Sequence, residues 1–226
     1  MTPLTEAQQG SLLLVDKELG WTSFDVVAKI RNLLKIKKVG HAGTLDPLAS
    51  GLLVIATGKK TKEINQLMGL PKTYIATIRF GATTASLDSE FPEEQIIPEY
   101  LLNTKILEEK LPTFLGEIEQ VPPAFSAIHV NGKRAYQLAR RGLEVSFVPR
   151  KVIIHEIQIL STALNSADIQ IACGSGTYIR SLARDLGEVM GVPAYLKKLR
   201  RTTIGNFSVE NAPKISDWAQ HWEKSQ

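Results

Sequence analysis

The chain has 226 residues, 43% hydrophobic and 22% charged, a composition typical of a globular protein with a substantial core. Lys and Arg number 27 against 23 Asp and Glu, so the formal charge of +4 is too mild to prove a nucleic-acid partner by itself. The N-terminus lacks an apolar signal core, the histidines are scattered, and Cys173 is the single cysteine, which excludes an intrachain disulfide and a cysteine-rich zinc site. We therefore expect a cytoplasmic protein without a membrane span or a metal.

The N-terminal part predicts a tail, a strand and a helix. Thr2 to Gly10 is expected to be a loose tail, and Ser11 to Val15 a strand. Thr22 or Ser23 is a candidate cap for a helix. Its apolar positions follow helical spacing at Val26, Val27, Ile30, Leu33 and Leu34. This helix would deliver a group of lysines to the edge of the segment that follows it.

That segment, Gly40 to Gly51, is glycine-rich and is expected to form a loop that holds one acid, Asp46. Pro47 biases Asp46 toward an extended conformation, so the carboxylate is presented on a shaped loop, as suits a nucleophile. The alternative is an Asp-Pro turn in which Asp46 only bonds backbone groups. Leu53 to Ala56 then predicts a short buried strand that anchors the loop.

Further along, strands and helices mix without regular βαβ spacing, which indicates an α+β fold. Strands are predicted at Thr73 to Phe80, Val152 to Leu160 and Asp168 to Cys173, the last with Ile169, Ile171 and Cys173 on one face. One helix is predicted at Tyr100 to Leu111, a second begins after a cap at Thr177, and a third covers Trp218 to Gln226. A hairpin is predicted to turn at Asn131 and Gly132. The helix after Thr177 has its expected buried stripe at Ile179, Leu182, Ala183, Leu186, Val189 and Met190.

Five other side chains are candidates for function, each with a plainer alternative. Arg180 lies in a first helical turn, where a cation opposes the helix dipole unless an anion is near, although a surface ion pair would also explain it. Tyr74 and Tyr178 either pack in a core or stack on a planar ligand. His41 either fills a loop or acts on a substrate, and Leu199 either packs inward or lines a pocket.

Basic residues gather in three clusters, each of which is either a solvated surface or a phosphate-binding one. The clusters are Lys29, Arg31, Lys35, Lys37 and Lys38; Lys133, Arg134, Arg140, Arg141, Arg150 and Lys151; and Lys197, Lys198, Arg200 and Arg201. Acids gather elsewhere, from Asp88 to Glu99. Three clusters in one chain strengthen the case for RNA or DNA as a partner.

Five blocks, taken in order, closely resemble the bacterial TruB-type tRNA pseudouridine synthases. They are Gly40 to Gly51, Lys72 to Gly81, Gln120 to Gly142, Gly176 to Gly187 and Leu196 to Phe207. The resemblance implies the pseudouridine synthase fold, a mixed and largely antiparallel central sheet flanked by helices with a catalytic cleft. It also implies isomerisation of the T-loop uridine at tRNA position 55 by a cofactor-independent monomer that binds the tRNA T-arm and flips out the target base.

The resemblance also assigns residues. Asp46 corresponds to the catalytic aspartate, His41 to the histidine that enters the T-loop, and Arg180 to the partner of the catalytic carboxylate. Tyr74 and Tyr178 correspond to aromatics that contact the base, and Leu199 to an apolar wall of the pocket. The expected organisation is a tail at 1–10, a catalytic domain at 11–210, and a short extension at 211–226 in place of a full PUA-type RNA-binding domain.

Four positions depart from the family pattern: Glu18, Phe91, Phe125 and His129. None of them is a residue assigned to catalysis. Two other functions stay open on the residues alone. The basic clusters would also suit a non-catalytic RNA-binding or tRNA-folding module, and Asp46 would also serve a small-molecule transferase.

Overall fold

The computed structural model describes residues 9–130, 132–218 and 220. The chain forms two compact units. The first comprises the chain up to Ile75 and from Leu199 onwards, and the second runs from Ala76 to Lys198.

The strands and helices alternate irregularly along the chain. The strands are β1 Leu12–Lys17, β2 Val39–His41, β3 Ala49–Thr57, β4 Lys72–Phe80, β5 Thr83–Thr84, β6 Glu93–Glu94, β7 Gly116–Gln120, β8 His129–Val130, β9 Lys133–Arg134, β10 Arg150–Ala163, β11 Ser166–Cys173, β12 Ala194–Ile204 and β13 Phe207–Ser208. The helices are α1 Ser23–Leu34, α2 Ile64–Gly69, α3 Thr104–Lys110, α4 Ala135–Ala139 and α5 Ile179–Val189. Short 3-10 turns lie at Gly58–Glu63, Leu111–Phe114 and Val209–Asn211.

In the first unit, β3 is the central strand. It pairs antiparallel with β1 and β2, and parallel with β12, where Leu199 lies opposite Ala49. β13 pairs antiparallel with β12. The strands predicted at Ser11 to Val15 and Leu53 to Ala56 are confirmed, and β3 is longer than predicted, because it begins at Ala49.

Helix α1 forms as its sequence predicts. Thr22 is its N-cap, and the Thr22 side chain and the Asp25 side chain satisfy each other's backbone N–H groups in a capping box. The buried face of α1 packs in a core with β1, β3 and the C-terminal segment. The members of this core are Val15, Val26, Val27, Ile30, Leu34, Ile36, Leu53, Ile55, Ile215 and Trp218.

In the second unit the strand order is β4, β11, β10 and β7. β10 pairs antiparallel with both β11 and β7. The predicted face of β11 is confirmed, because Ile169, Ile171 and Cys173 are all buried. Parallel and antiparallel pairs with flanking helices make the fold α+β, as the sequence predicts.

Two helix boundaries were predicted wrongly. The helix expected over Tyr100 to Leu111 begins only at Thr104, because the Asn103 side chain accepts a hydrogen bond from the Ile106 N–H at 3.2 Å and caps it there. The N-cap of α5 is Tyr178 and not Thr177, whose hydroxyl donates instead to the Gly174 carbonyl.

Two further corrections concern the edges of predicted elements. Val189 is 40% exposed, because the buried face of α5 passes through Gly187, which lies against Ala194. The ends of the Gly40 to Gly51 segment belong to β2 and β3, so the loop proper covers residues 42–48. Strand pairing continues to both ends of the Asp46 loop and restrains it.

Some predictions fall partly outside the described residues. The hairpin is confirmed by the pairing of β8 with β9, while its turn residue Asn131 is not described. Only Gln9 and Gly10 of the predicted tail, and Trp218 and Gln220 of the predicted terminal helix, are described. Within the described residues, no helix has the length and apolar character needed to cross a bilayer, and no three His, Cys, Asp or Glu side chains cluster as metal ligands would.

Candidate active site

The loop that carries Asp46 is fixed by hydrogen bonds on both sides of the acid. Before it, the Ser23 hydroxyl donates to the Leu45 carbonyl at 3.1 Å and accepts from the Leu45 N–H at 2.9 Å. After it, the Gly20 N–H donates to the Pro47 carbonyl at 2.9 Å. The backbone that presents the half-buried Asp46 is therefore held by the start of α1 and the turn before it.

A buried lysine lies beneath this loop. Lys17 is 0% exposed, and its ammonium donates to the carbonyls of Trp21 at 2.7 Å and Glu18 at 3.1 Å, with Pro47 at 3.5 Å. Burial lowers the pKa of Lys17 to about 8, the Asp46 carboxylate opposes this, and the charge of Arg201 adds to it. Asp46 thus lies in the field of a buried cation.

Arg201 on β12 holds the loop from its other side. Its guanidinium donates from Nε to the Leu52 carbonyl at 2.8 Å and from Nη2 to the Gly43 carbonyl at 3.1 Å. It also shares a side-chain hydrogen bond with Tyr74, which partly offsets the lowering of the Arg201 pKa by burial. Arg201 is only 1% exposed, so one buried guanidinium connects Gly43 in the loop and Leu52 on β3 to Tyr74.

The structure brings four of the predicted site residues to this loop. His41 ends β2 and is half-buried; burial, and then the charge of Arg201, lower its pKa. Its Nδ1 atom is shielded from solvent and has no hydrogen-bond partner among the described residues. Tyr74 on β4 is buried, and Leu199 lies opposite Ala49 at the point where the loop enters β3. The loop that carries Asp46 is therefore flanked by three other predicted site residues, His41, Tyr74 and Leu199.

The other two predicted residues, Tyr178 and Arg180, lie at the start of α5 in the second unit. Arg180 is 6% exposed, and its Nη1 lies 3.5 Å from a carboxylate oxygen of Asp88. The guanidinium also donates to the carbonyls of Ser86 at 3.2 Å and Phe125 at 2.9 Å. This arrangement is a buried charge pair, so the surface ion-pair interpretation of Arg180 is wrong.

Asp88 is itself held in place. Its Oδ1 accepts from the Ser86 hydroxyl at 2.5 Å and from the Glu90 N–H at 3.0 Å, and its carbonyl accepts from the Thr84 hydroxyl at 2.6 Å. Sequence reasoning placed Asp88 only in the acidic cluster. The sequence signal for its role is the pair of hydroxyl residues just before it, Thr84 and Ser86, because short hydroxyl side chains form local hydrogen bonds with a nearby acid.

Three of the departures from the family pattern make specific contacts. The Phe91 and Phe125 rings pack on each other with centroids 5.1 Å apart and planes tilted by 54°, a favourable aromatic geometry. Glu18 accepts a hydrogen bond from the Ser216 N–H at 3.0 Å, and so ties the C-terminal segment to the end of β1. The fourth, His129, is exposed on the β8–β9 hairpin.

Comparison with known families decides the classification. The model of the TruB family pseudouridylate synthase N-terminal domain matches residues 31–179, more than half of the chain. The chain belongs to the TruB family. A second model, the tRNA pseudouridylate synthase B C-terminal domain, matches residues 180–225. The resemblance inferred from five sequence blocks is confirmed.

Relatives match the chain over nearly its whole length. A protein from Flavobacterium johnsoniae called tRNA pseudouridine synthase B is 47% identical over 223 residues, covering 96% of this chain and 97% of its own. Proteins of the same name from Bacteroides fragilis and Mycobacterium bovis are 45% and 42% identical and cover 93% and 92% of this chain. These matches cover 94% and 72% of the respective relatives.

Solved structures confirm the pseudouridine synthase fold. An archaeal box H/ACA sRNP Nop10–Cbf5 complex contains a chain with TM-score 0.72 and 26% identity, and a Cbf5–Nop10–Gar1 complex contains one with TM-score 0.71 and 30% identity. Both cover 97% of this TruB chain, which spans only 55% and 56% of theirs.

Proposed function

We propose that this TruB-family protein is a tRNA pseudouridine synthase that isomerises the T-loop uridine at tRNA position 55, with Asp46 as the essential carboxylate. The observation that carries the proposal is the placement of Asp46. It is the single acid of a loop fixed on both sides, in the field of the buried Lys17. The names of relatives matched over nearly their full length support tRNA as the substrate.

The chemistry explains why one ionised carboxylate suffices. The N1–C1′ bond of uridine breaks, the uracil rotates in place, and a C5–C1′ bond forms; C5 loses a proton and N1 gains one. No electron is gained or lost, so the reaction requires no cofactor. Attack at C6, attack at C1′ and elimination through a glycal all begin from an ionised acid beside the nucleoside.

We assign the other candidate residues the roles that the family resemblance implies. Tyr74 and Tyr178 contact the flipped base, Leu199 forms an apolar wall, and Arg180 is the partner of the catalytic carboxylate. His41 takes the place of the extruded nucleotide in the T-loop. Its lowered pKa supports this role, because a neutral imidazole inserts among stacked bases without desolvating a charge.

Substrate binding depends on the basic clusters. We infer that a cytoplasmic monomer binds the T-arm through lysines and arginines, several of them exposed, such as Lys37, Lys133 and Lys198. Phosphate contacts of this kind release counterions, so affinity for tRNA should fall steeply as salt rises. A flat salt profile would contradict this basic surface.

The decisive experiment compares Asp46→Asn with the wild type. Purified protein is incubated with tRNA, and pseudouridine is mapped with a selective chemical adduct that reports both conversion and position. We expect Asp46→Asn to abolish conversion while its Kd for tRNA stays within about tenfold of the wild type. Asp217→Asn, a change at an exposed carboxylate, is the matched control and should convert normally.

Two outcomes would contradict the proposal. Conversion by Asp46→Asn would exclude Asp46 as the essential acid. Wild-type protein that binds tRNA tightly but modifies none of it would favour the tRNA-folding module.

A further inference from the structure

We infer that Gln120, at the end of β7, is a positioning residue that fixes Tyr178 for catalysis. This inference rests on the proposed function, in which Tyr178 contacts the target base. Gln120 is 2% exposed, and its side-chain Oε1 accepts a hydrogen bond from the Tyr178 N–H at 2.8 Å. The two residues are 58 positions apart in the chain, so this bond joins separate elements of the second unit.

Gln120 is a firm anchor, because its own backbone is part of the sheet. It lies opposite Arg150 in the antiparallel pairing of β7 with β10. Its side chain therefore links the paired strands β7 and β10 to the start of α5. Tyr178 has an extended backbone, with φ −98° and ψ 110°, just before the helix begins.

The start of α5 needs this acceptor from outside the helix. In a capping box, the N–H of the N-cap residue is bonded by the side chain three residues later. In α5 that residue is Ser181, and its hydroxyl instead donates to the Val121 carbonyl at 2.7 Å. The Tyr178 side chain provides no cap of its own. The oxygen of Gln120 therefore takes the place that an N3 side chain has in other helices.

The bond has a direct consequence for the site, because the same turn of α5 carries both Tyr178 and Arg180. Displacing reacting groups by about 1 Å can lower a rate by about 100-fold. Without the Gln120 oxygen, the backbone of Tyr178 loses a buried hydrogen bond that joins it to β7. The chemical step should suffer more than tRNA binding, which depends on many phosphate contacts.

The two ends of the Gln120 amide differ in their hydrogen bonding. The Nε2 atom is shielded from solvent and makes no hydrogen bond within the described part of the chain. Gln120→Glu therefore retains an acceptor facing Tyr178 and breaks no other bond. Gln120→Met keeps the length of the side chain and removes the acceptor.

The test measures single-turnover conversion of tRNA at saturating enzyme, the Kd for tRNA, and the melting temperature. We expect Gln120→Met to convert at least about tenfold more slowly, consistent with loss of one buried hydrogen bond, with a Kd within about twofold of the wild type. Gln120→Glu should recover conversion to within about threefold of the wild type. Ser181→Ala is the matched control, because the Val121 carbonyl keeps Arg184 as a donor at 3.2 Å, and it should convert normally.

Each result separates positioning from a general structural role. Gln120→Met with wild-type conversion, or Gln120→Glu no faster than Gln120→Met, would overturn the inference. The inference would also be overturned if Gln120→Met lost tRNA affinity by the same factor as conversion and also melted at a much lower temperature than the wild type. If the wild type itself fails to convert tRNA, the proposed function fails instead.

Discussion

Replacing Lys17 with methionine should change how stability depends on pH. Lys17 is wholly buried, and its ammonium is bonded to the Trp21 and Glu18 carbonyls. Burial lowers its pKa from 10.5 to about 8. Between these values the unfolded chain binds more protons at this position than the folded protein does. The free energy of unfolding must therefore rise with pH across that window.

The size of the effect follows from the shift. Below pH 8 the folded protein carries the full penalty of a buried ammonium, and above pH 10.5 the penalty is gone. Linkage predicts a gain of about 2–3 kcal/mol between pH 7 and pH 10 from this one group. Lys17→Met lacks this gain, because methionine does not titrate.

The assay is chemical denaturation of both proteins at several pH values in that range. The unfolding free energy of the wild type minus that of Lys17→Met should increase by about 2–3 kcal/mol from pH 7 to pH 10. Each protein's own curve also contains the titration of other groups. Lys37→Met, at an exposed lysine, is the control and should give a nearly constant difference. A constant difference for Lys17→Met would refute the claim that Lys17 is buried with a lowered pKa.

Three other predictions follow from single contacts. Trp218→Ala should lower the free energy of unfolding, measured with denaturant, by about 3–5 kcal/mol, because the change empties a core position and removes the hydrogen bond from Nε1 to the Leu14 carbonyl. A loss below about 1 kcal/mol would contradict this prediction. Gly51→Ala should fail to give stable protein, because Gly51 has φ +105° and an added Cβ would lie 2.2 Å from the Arg201 carbonyl oxygen; a normal melting curve would show otherwise. An NMR titration of His41 should have its midpoint below 6.5, and stability should fall as pH drops through that region; a midpoint at or above 6.5 would contradict a pKa lowered by burial.

Local signals predicted the local structure well. The cap and apolar spacing of α1, the alternation of β4 and β11, and the hairpin of β8 and β9 all depend on neighbours within a few residues. The same is true of the Asp46 loop, because its glycines and proline all lie within the twelve residues from Gly40 to Gly51. The prediction failed where a second cap residue was available. The start of α3 was expected at Tyr100, but Asn103 caps the helix, which begins four residues later at Thr104.

The buried charges could not be predicted, because they depend on partners far away in the chain. Arg201 was counted in a basic cluster, yet it bonds Leu52 and Gly43, about 150 positions away. Its strand, β12, has no apolar alternation in its basic part and forms through parallel pairing with β3. Lys17 belongs to none of the basic clusters or motifs visible in the sequence. Composition rules place lysine and arginine outside unless they are paired, so nothing in the sequence marked these two as interior.

These two buried cations suggest why the loop can serve an anionic catalyst and an anionic substrate. The hydrogen bonds of Lys17 go to carbonyl oxygens, and those of Arg201 go to carbonyl oxygens and to Tyr74. Such partners satisfy the donors without cancelling their charge. The positive field of Lys17 therefore reaches Asp46, the one acid of the loop. A carboxylate partner for either cation would have stabilised the pair and removed that field.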